Sequence, residues 1–194
     1  MSEIERRYTK GIEVRAEDGK PPMLVGYAAV FNKWSCDLGG FREQIMPGAF
    51  KRTLTEDGDV RALLNHDANF VLGRGKSGTA RLIEDSVGLR VEIDLPDTTA
   101  GRDTRISVDR GDLDGMSFAF ATIEDAWDYS GDVAERSLKD VDLSDVSVVT
   151  YPAYPDTSVA VRSLTAWKEA REPETEDAPI RETLKRQLRM RETT

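Results

Sequence analysis

The sequence predicts a mainly β fold, in the form of a mostly antiparallel β-barrel flanked by a few helices. Short runs of apolar and β-branched residues follow one another from about residue 12 to residue 161, and Gly, Asp and Asn separate them. These runs do not alternate regularly with helical segments, as they would in a doubly wound parallel sheet. The pattern therefore favours an antiparallel barrel or sandwich.

Individual strands are predicted from composition and from alternation of apolar and polar residues. Residues 23–31 are predicted to form a strand, in which Gly26 indicates a bend or the close approach of another backbone. Residues 79–95 predict a hairpin, because the second arm alternates apolar and charged side chains and so has one buried and one wet face. Further strands are predicted at residues 60–64, 116–127 and 141–150.

Two segments are predicted to be helical. Residues 47–54 begin with Pro47, which suits a first helical turn. Residues 98–110 begin with threonines that can cap a helix, and Gly111 is expected to end it.

Composition limits the classes of function. The chain has 194 residues and a formal charge of -9, from 27 basic and 36 acidic residues, and its body contains no dense basic block. Nucleic-acid binding is therefore disfavoured, because phosphate contacts depend on clustered Lys and Arg. The sequence contains no apolar stretch long enough to cross a bilayer and no signal-peptide core, so we expect a soluble chain made in the cytoplasm.

The composition changes near residue 165, which predicts one domain over residues 1–164 and a tail over residues 165–194. Residues 169–179 are acidic and contain prolines, as is typical of a flexible linker. Residues 180–191 form a short basic amphipathic segment. A solvated tail is the simplest interpretation, and a docking peptide or an autocleaved tail are the alternatives.

The only cysteine and the only histidine restrict metal and thiol chemistry. Cys36 cannot form an internal disulfide, and the neighbouring Asp37 opposes the electropositive setting that a reactive thiolate needs. One His and one Cys far apart in the sequence cannot supply the usual ligands of zinc. No metal or cofactor is expected.

His66 is the only residue that can act as an imidazole base, and Ser117 lies in an otherwise apolar run at residues 115–120. A serine hydroxyl needs a base to take its proton and a third group to orient that base. Asp145 is the candidate for the third group, with Asp140 and Asp142 as rivals. Taken singly, each residue has a simpler explanation: a turn histidine, a strand serine and a solvated acid. The backbone donors of an oxyanion hole leave no side-chain signature. Three arginines are candidates for a helping role near the site, although a surface charge is the simpler interpretation of each: Arg74, Arg102 and Arg105.

Several motifs occur in an order that resembles the prohead maturation proteases of tailed bacteriophages. They are GYAAVFN at residues 26–32, EQIMPGAF at 43–50, LNHD at 64–67, GMSFAF at 115–120, LSDVSVV at 143–149 and YPAY at 151–154. The resemblance extends over roughly residues 10–164.

This resemblance implies a serine endopeptidase related in fold to the herpesvirus assembly protease. It implies that Ser117 is the nucleophile and His66 the base. Asp145 takes the third role, which is acidic in some branches of the family and a second histidine in the herpesvirus relatives. Since this chain has no second histidine, a complete triad requires a carboxylate. Ala119 stands where the family often has glycine, and it keeps the position small.

The resemblance also implies where the protein acts and on what. The expected substrates are the major capsid protein and scaffold segments, and the expected place is the host cytoplasm, inside the immature capsid. The portal protein and a homo-oligomer are further candidate partners, whereas nucleic acid and membrane are not expected. The rival hypothesis is a non-catalytic scaffold or chaperone module for capsid subunits. A hydrolase of small esters is disfavoured, because no Gly-x-Ser-x-Gly motif is present.

Overall fold

The computed structural model describes residues 4–16, 19, 21–56 and 59–151. These residues are mostly β, as predicted, and none of their helices is long and apolar enough to cross a membrane. In chain order the elements are β1 (Glu5–Lys10), β2 (Ile12–Arg15), β3 (Met23–Val30), β4 (Phe41–Ile45), α1 (Lys51–Thr55), β5 (Arg61–Leu64), β6 (Asp67–Arg74), β7 (Ala80–Glu84), β8 (Gly88–Asp94), α2 (Thr99–Asp109), β9 (Gly115–Asp128) and β10 (Ala134–Val149). The predicted tail and residues 152–154 of the last motif lie outside the described residues.

The described strands form two sheets. The six-stranded sheet has the order β1-β9-β10-β5-β6, with β4 also pairing with β10, and the four-stranded sheet has the order β2-β3-β8-β7. All pairings are antiparallel except those of β10 with β4 and with β5. These pairings do not form the predicted barrel, because β6 and β7 are edge strands of two different sheets. Closure depends on hydrogen bonds between edge strands, which side-chain alternation does not report.

The core lies between the inward faces of the two sheets. On β9 the apolar run around Ser117 is buried on both faces, and its rings pack closely: the Phe50 and Phe118 centroids are 5.4 Å apart and those of Phe118 and Phe120 are 5.1 Å apart. Burial of each such ring stabilises the fold by roughly 1.5–3 kcal/mol. This stretch of β9 is therefore a rigid support for a functional side chain.

Several predicted elements are confirmed. Residues 79–95 form the antiparallel hairpin of β7 and β8, and the alternating apolar residues of β8 are buried. A Cβ atom on Gly26 would lie 2.9 Å from the carbonyl oxygen of Gly11, so this glycine does allow close approach of another backbone. Thr98 caps α2 by accepting a hydrogen bond from the backbone N–H of Gly101, and Gly111 follows α2 with a φ of +79°.

Helix α1 begins later than predicted, at Lys51 rather than Pro47. Residues 47–50 form a turn, since Gly48 has a φ of +95° and cannot be helical. The carboxylate of Glu84 accepts hydrogen bonds from the backbone N–H groups of Gly48 and Phe50, which fixes the turn. The Glu84 carboxylate of β7 thus accepts the backbone hydrogen bonds of a segment that was predicted to be the first turn of the helix.

A buried cluster of charges joins four strands of the six-stranded sheet. The Arg136 side chain on β10 is 2% exposed, and its guanidinium lies 2.8 Å from Glu5 on β1, 3.0 Å from Glu43 on β4 and 2.7 Å from Asp125 on β9. Arg7 adds a second cation, 2.7 Å from both glutamates. Buried charges require such pairing, because an unpaired one is costly to desolvate.

Acid is expected to weaken this cluster through Glu5. Burial alone raises the pKa of Glu5, but the cations of Arg136 and Arg7 outweigh it and hold the pKa below its ordinary value of 4.5. A lowered folded-state pKa stabilises the protein above the unfolded-state pKa, and that stability is lost as the pH falls through the folded value. The gap in unfolding free energy between the native chain and Glu5→Gln should therefore narrow below about pH 4.5.

Urea unfolding at a series of pH values measures this gap. Glu13→Gln is the matched control, because the Glu13 side chain is 60% exposed and pairs only with the exposed Arg15 among the described contacts. We expect its effect to be small at every pH. A Glu5→Gln gap that stays constant from pH 7 to pH 3 would contradict the prediction.

Candidate active site

His66 lies in a tight turn between β5 and β6. Leu64 and Asp67 pair across the two strands, so Asn65 and His66 are the two central residues of the turn. Both have positive φ, +53° and +57°, as in the type I′ turns that connect twisted strands. Asn is common in such turns, but the second position normally holds Gly, and a left-handed conformation costs other residues about 1–2 kcal/mol. A histidine that is held in this conformation suggests a functional position.

Asn65 anchors the turn to the end of β10. Its backbone N–H donates to the carbonyl of Val148 at 2.8 Å. Its side-chain oxygen accepts from the backbone N–H of Thr150 at 2.9 Å, and its side-chain nitrogen donates to the Thr150 hydroxyl at 3.1 Å. These bonds hold the turn against the end of β10 and offset part of its conformational strain.

The structure brings the three predicted site residues together, although they are far apart in the sequence. His66 Nε2 lies 2.7 Å from Ser117 Oγ on β9, a separation of 51 residues. His66 Nδ1 lies 2.6 Å from Asp145 Oδ1 on β10, a separation of 79 residues. Strand pairing explains the meeting, because β10 lies between β9 and β5 in the sheet.

The hydrogen-bond partners assign the protons. An ionised carboxylate can only accept, so Asp145 accepts the hydrogen bond of the His66 Nδ1–H group. The Nε2 atom is then unprotonated and accepts from the hydroxyl of Ser117. This is the arrangement in which an imidazole can take a proton from a serine and a carboxylate can stabilise the resulting imidazolium.

The structure separates Asp145 from its rivals. Asp140 pairs with Arg52 of α1 at 2.9 Å, and Asp142 lies 3.9 Å from the same guanidinium, so both carboxylates are near Arg52 rather than His66. The three arginines that were considered near the site carry exposed side chains and pair with neighbouring acids: Arg74 with Asp59, Arg102 with Asp97 and Arg105 with Asp109. Cys36 is exposed in the loop before β4.

Ser147 also belongs to this network, and it lies two residues after Asp145 on β10, on the same face of the strand. Its hydroxyl donates a hydrogen bond to Asp145 Oδ1 at 2.9 Å. Alternation along β10 shows that the two side chains share a face, but serines are common in strands, so nothing in the sequence marks Ser147 as a functional residue.

Tyr8 lies beside the nucleophile on the neighbouring strand β1, in register with Ser117. A Cβ atom on Gly115 would lie 2.3 Å from the Tyr8 ring, so the glycine makes room for the ring. Burial and a hydrogen bond to Asp114 raise the pKa of Tyr8 to about 12. Tyr8 is therefore a neutral phenol near pH 7 and does not compete with His66 for the proton.

The described residues thus define a mainly β protein with a Ser–His–Asp arrangement of the kind found in serine hydrolases. The chain belongs to the caudovirus prohead serine protease family, whose model matches residues 10–171. This match confirms the resemblance that the sequence motifs indicated.

The known proteins that are similar to the chain include two from bacteriophages. The prohead protease of Enterobacteria phage HK97 is 32% identical over 145 residues, which cover 74% of this chain and 61% of that relative. The chain therefore spans about three-fifths of the length of this relative. The solved structure of the bacteriophage T4 capsid assembly protease is 9% identical, with a TM-score of 0.47, and the match covers 75% of this chain and 98% of that one.

Proposed function

We propose that the chain is a serine endopeptidase that cleaves scaffold or capsid proteins inside an immature phage capsid. The observation that carries the proposal is the continuous hydrogen-bonded path from Ser117 Oγ through both nitrogens of His66 to Asp145 Oδ1. Membership of the prohead serine protease family supports the substrate class, and so does the similarity to the prohead protease of phage HK97.

In the proposed reaction, Ser117 Oγ attacks the carbonyl carbon of a peptide bond while His66 Nε2 takes the hydroxyl proton. Asp145 keeps the imidazole in the Nδ1–H tautomer and stabilises the imidazolium. The imidazolium gives its proton to the leaving amine as the peptide bond breaks, which leaves an acyl-enzyme on Ser117. His66 then takes a proton from a water molecule, whose oxygen attacks the acyl carbon. The bond from that carbon to Ser117 Oγ breaks, the imidazolium returns the proton to Oγ, and the new carboxyl end is released.

Burial of the site affects how this reaction begins. Ser117 is 0% exposed, and the His66 side chain is 8% exposed. Surroundings that exclude water strengthen the interaction between the carboxylate and the imidazolium. A substrate carbonyl can reach Ser117 Oγ only after neighbouring groups move aside. Confinement inside a capsid raises the local concentration of substrate, so a slow enzyme would suffice there.

Co-expression with the major capsid protein of the same phage tests the proposal. We expect a shortened capsid subunit with the native chain, and no shortening with Ser117→Ala or His66→Ala. Ser137→Ala is the matched control, because Ser137 is on the same strand as Asp145 and its hydroxyl contacts Gln44 instead of the site. It should support normal shortening.

The outcomes separate the proposal from its rival. Shortening that survives both Ser117→Ala and His66→Ala rejects the mechanism. Absence of shortening with the native chain, while capsids still assemble, favours a non-catalytic scaffold or chaperone. Mass spectrometry of the shortened subunit would give the position of the cleaved bond.

A further inference from the structure

Ser147 links two parts of the candidate site that belong to different strands. Its Oγ accepts a hydrogen bond from the backbone N–H of His66 at 3.1 Å and donates one to Asp145 Oδ1 at 2.9 Å. Ser147 is 0% exposed, so water does not compete for these bonds. One hydroxyl therefore contacts both the backbone that carries the imidazole and the carboxylate that orients it.

The place of Ser147 in the sheet explains this geometry. On β10, Ser147 follows Asp145 by two residues, so both side chains point to the same face. Ser147 pairs with Ser117 on β9 on one side and with Leu63 on β5 on the other. It is thus flanked by the strand of the nucleophile and by the strand that leads into the His66 turn.

The His66 turn needs this contact more than an ordinary turn would. His66 has a φ of +57°, which a residue with a side chain rarely adopts. Asn65 is anchored to β10 by its own hydrogen bonds, whereas the backbone N–H of His66 is bonded to Ser147 Oγ. Loss of that hydroxyl would leave a polar group unbonded in a part-buried turn, which favours a change in the turn conformation.

We propose that Ser147 is a positioning residue, which keeps the imidazole of His66 aligned with both Asp145 and Ser117. The inference rests on the proposed function and deepens it. The two hydrogen bonds of the His66 ring, at 2.6 Å and 2.7 Å, can both be well aligned only if the ring and the Asp145 carboxylate keep a fixed distance and angle to each other. The Ser147 hydroxyl maintains this distance and angle, because it is hydrogen-bonded both to the His66 backbone and to Asp145.

The first test measures how fast a serine-directed fluorophosphonate labels the purified full chain. In Ser147→Ala the labelling rate constant at saturating reagent should fall between about 10-fold and about 100-fold, as expected when reacting groups shift by a fraction of an ångström. The reagent concentration at half-saturation should not change, because Ser147 does not line the path of the reagent in this proposal. Ser137→Ala, which removes a hydroxyl from the same strand, should label like the native chain.

The second test observes His66 directly. Since the chain has only one histidine, a proton NMR spectrum of the imidazole Nδ1–H group contains a single resonance of this kind. This low-field signal should be the same in the native chain and in Ser137→Ala, and it should shift or broaden in Ser147→Ala at a temperature where all three are folded. A residue with only a structural role would lower the melting temperature without moving the signal.

The results distinguish failure of this inference from failure of the proposed function. Native labelling rate and an unmoved resonance in Ser147→Ala overturn the positioning role and leave the protease proposal intact. A native chain that the reagent does not label at Ser117 counts against the protease, and the resonance still tests Ser147. If Ser147→Ala does not fold, Ser147→Cys keeps a side chain of similar shape with a weaker hydrogen-bonding group, and a native labelling rate in that variant overturns the inference.

Discussion

Replacing Ser117 by Ala is expected to lower the rate of capsid-protein cleavage by about six orders of magnitude, and replacing His66 by Ala to lower it by a similar factor. Each residue is useless to the proposed reaction without the other, because the hydroxyl is a weak nucleophile until His66 takes its proton. The separation of 2.7 Å between Nε2 and Oγ shows that this transfer needs no rearrangement of the two side chains.

The double variant makes this prediction sharper. If the residues act as one unit, Ser117→Ala combined with His66→Ala should be no slower than either single variant. Purified chain and purified capsid protein, followed by gel densitometry over hours, give the rates, with Ser137→Ala as the active control. Circular dichroism of each variant checks that it is folded. Single losses of less than about tenfold, or losses that multiply in the double variant, would contradict a shared mechanism.

The sequence predicted strands where burial alternates regularly, and one strand that it missed has a charge at its central buried position. Strand β8 was predicted because its inward positions are all apolar. Strand β4 was missed, although its burial alternates, because the central inward position is Glu43, which is 3% exposed. The charge of Glu43 is compensated by Arg136, 93 residues away, and no local pattern can show such a partner.

Part of the candidate site could likewise be predicted from the sequence, and part could not. The three residues could be selected from the sequence, since the chain has one histidine and its motifs follow the order of a known family. Their meeting depends on the sheet order, in which β10 separates β9 from β5, and on a strained turn at Asn65 and His66. The sequence indicated a turn there, but the role of Ser147 requires a cross-strand register that only the structure provides.

The buried charge cluster matters to the site because it fixes the strands that carry it. β10 holds Arg136 near one end and Asp145 near the other, and β9 holds Asp125 as well as Ser117. Glu5 and Glu43 attach β1 and β4 to the same guanidinium. Weakening the cluster is therefore expected to loosen the sheet on which the candidate site is built.

Replacing Arg136 by Met is expected to lower the free energy of unfolding by about 3–5 kcal/mol, because two glutamates lose a cation that neutralises them in a buried setting. Arg42→Met is the matched control: Arg42 also bridges β4 and β10, through Glu135, but its side chain is 45% exposed, so its loss should cost less than about 1 kcal/mol. Urea unfolding followed by tryptophan fluorescence measures both effects.

A double-mutant cycle then tests the cause of the loss. Adding Glu5→Gln to Arg136→Met removes one of the stranded charges, so the double variant should be more stable than the sum of the single losses by about 0.5–3 kcal/mol. Strictly additive losses would show that Glu5 is not an effective counter-charge of Arg136. Equal losses in Arg136→Met and Arg42→Met would show that neither the burial of Arg136 nor its larger number of carboxylate partners adds to the cost of breaking such a pair.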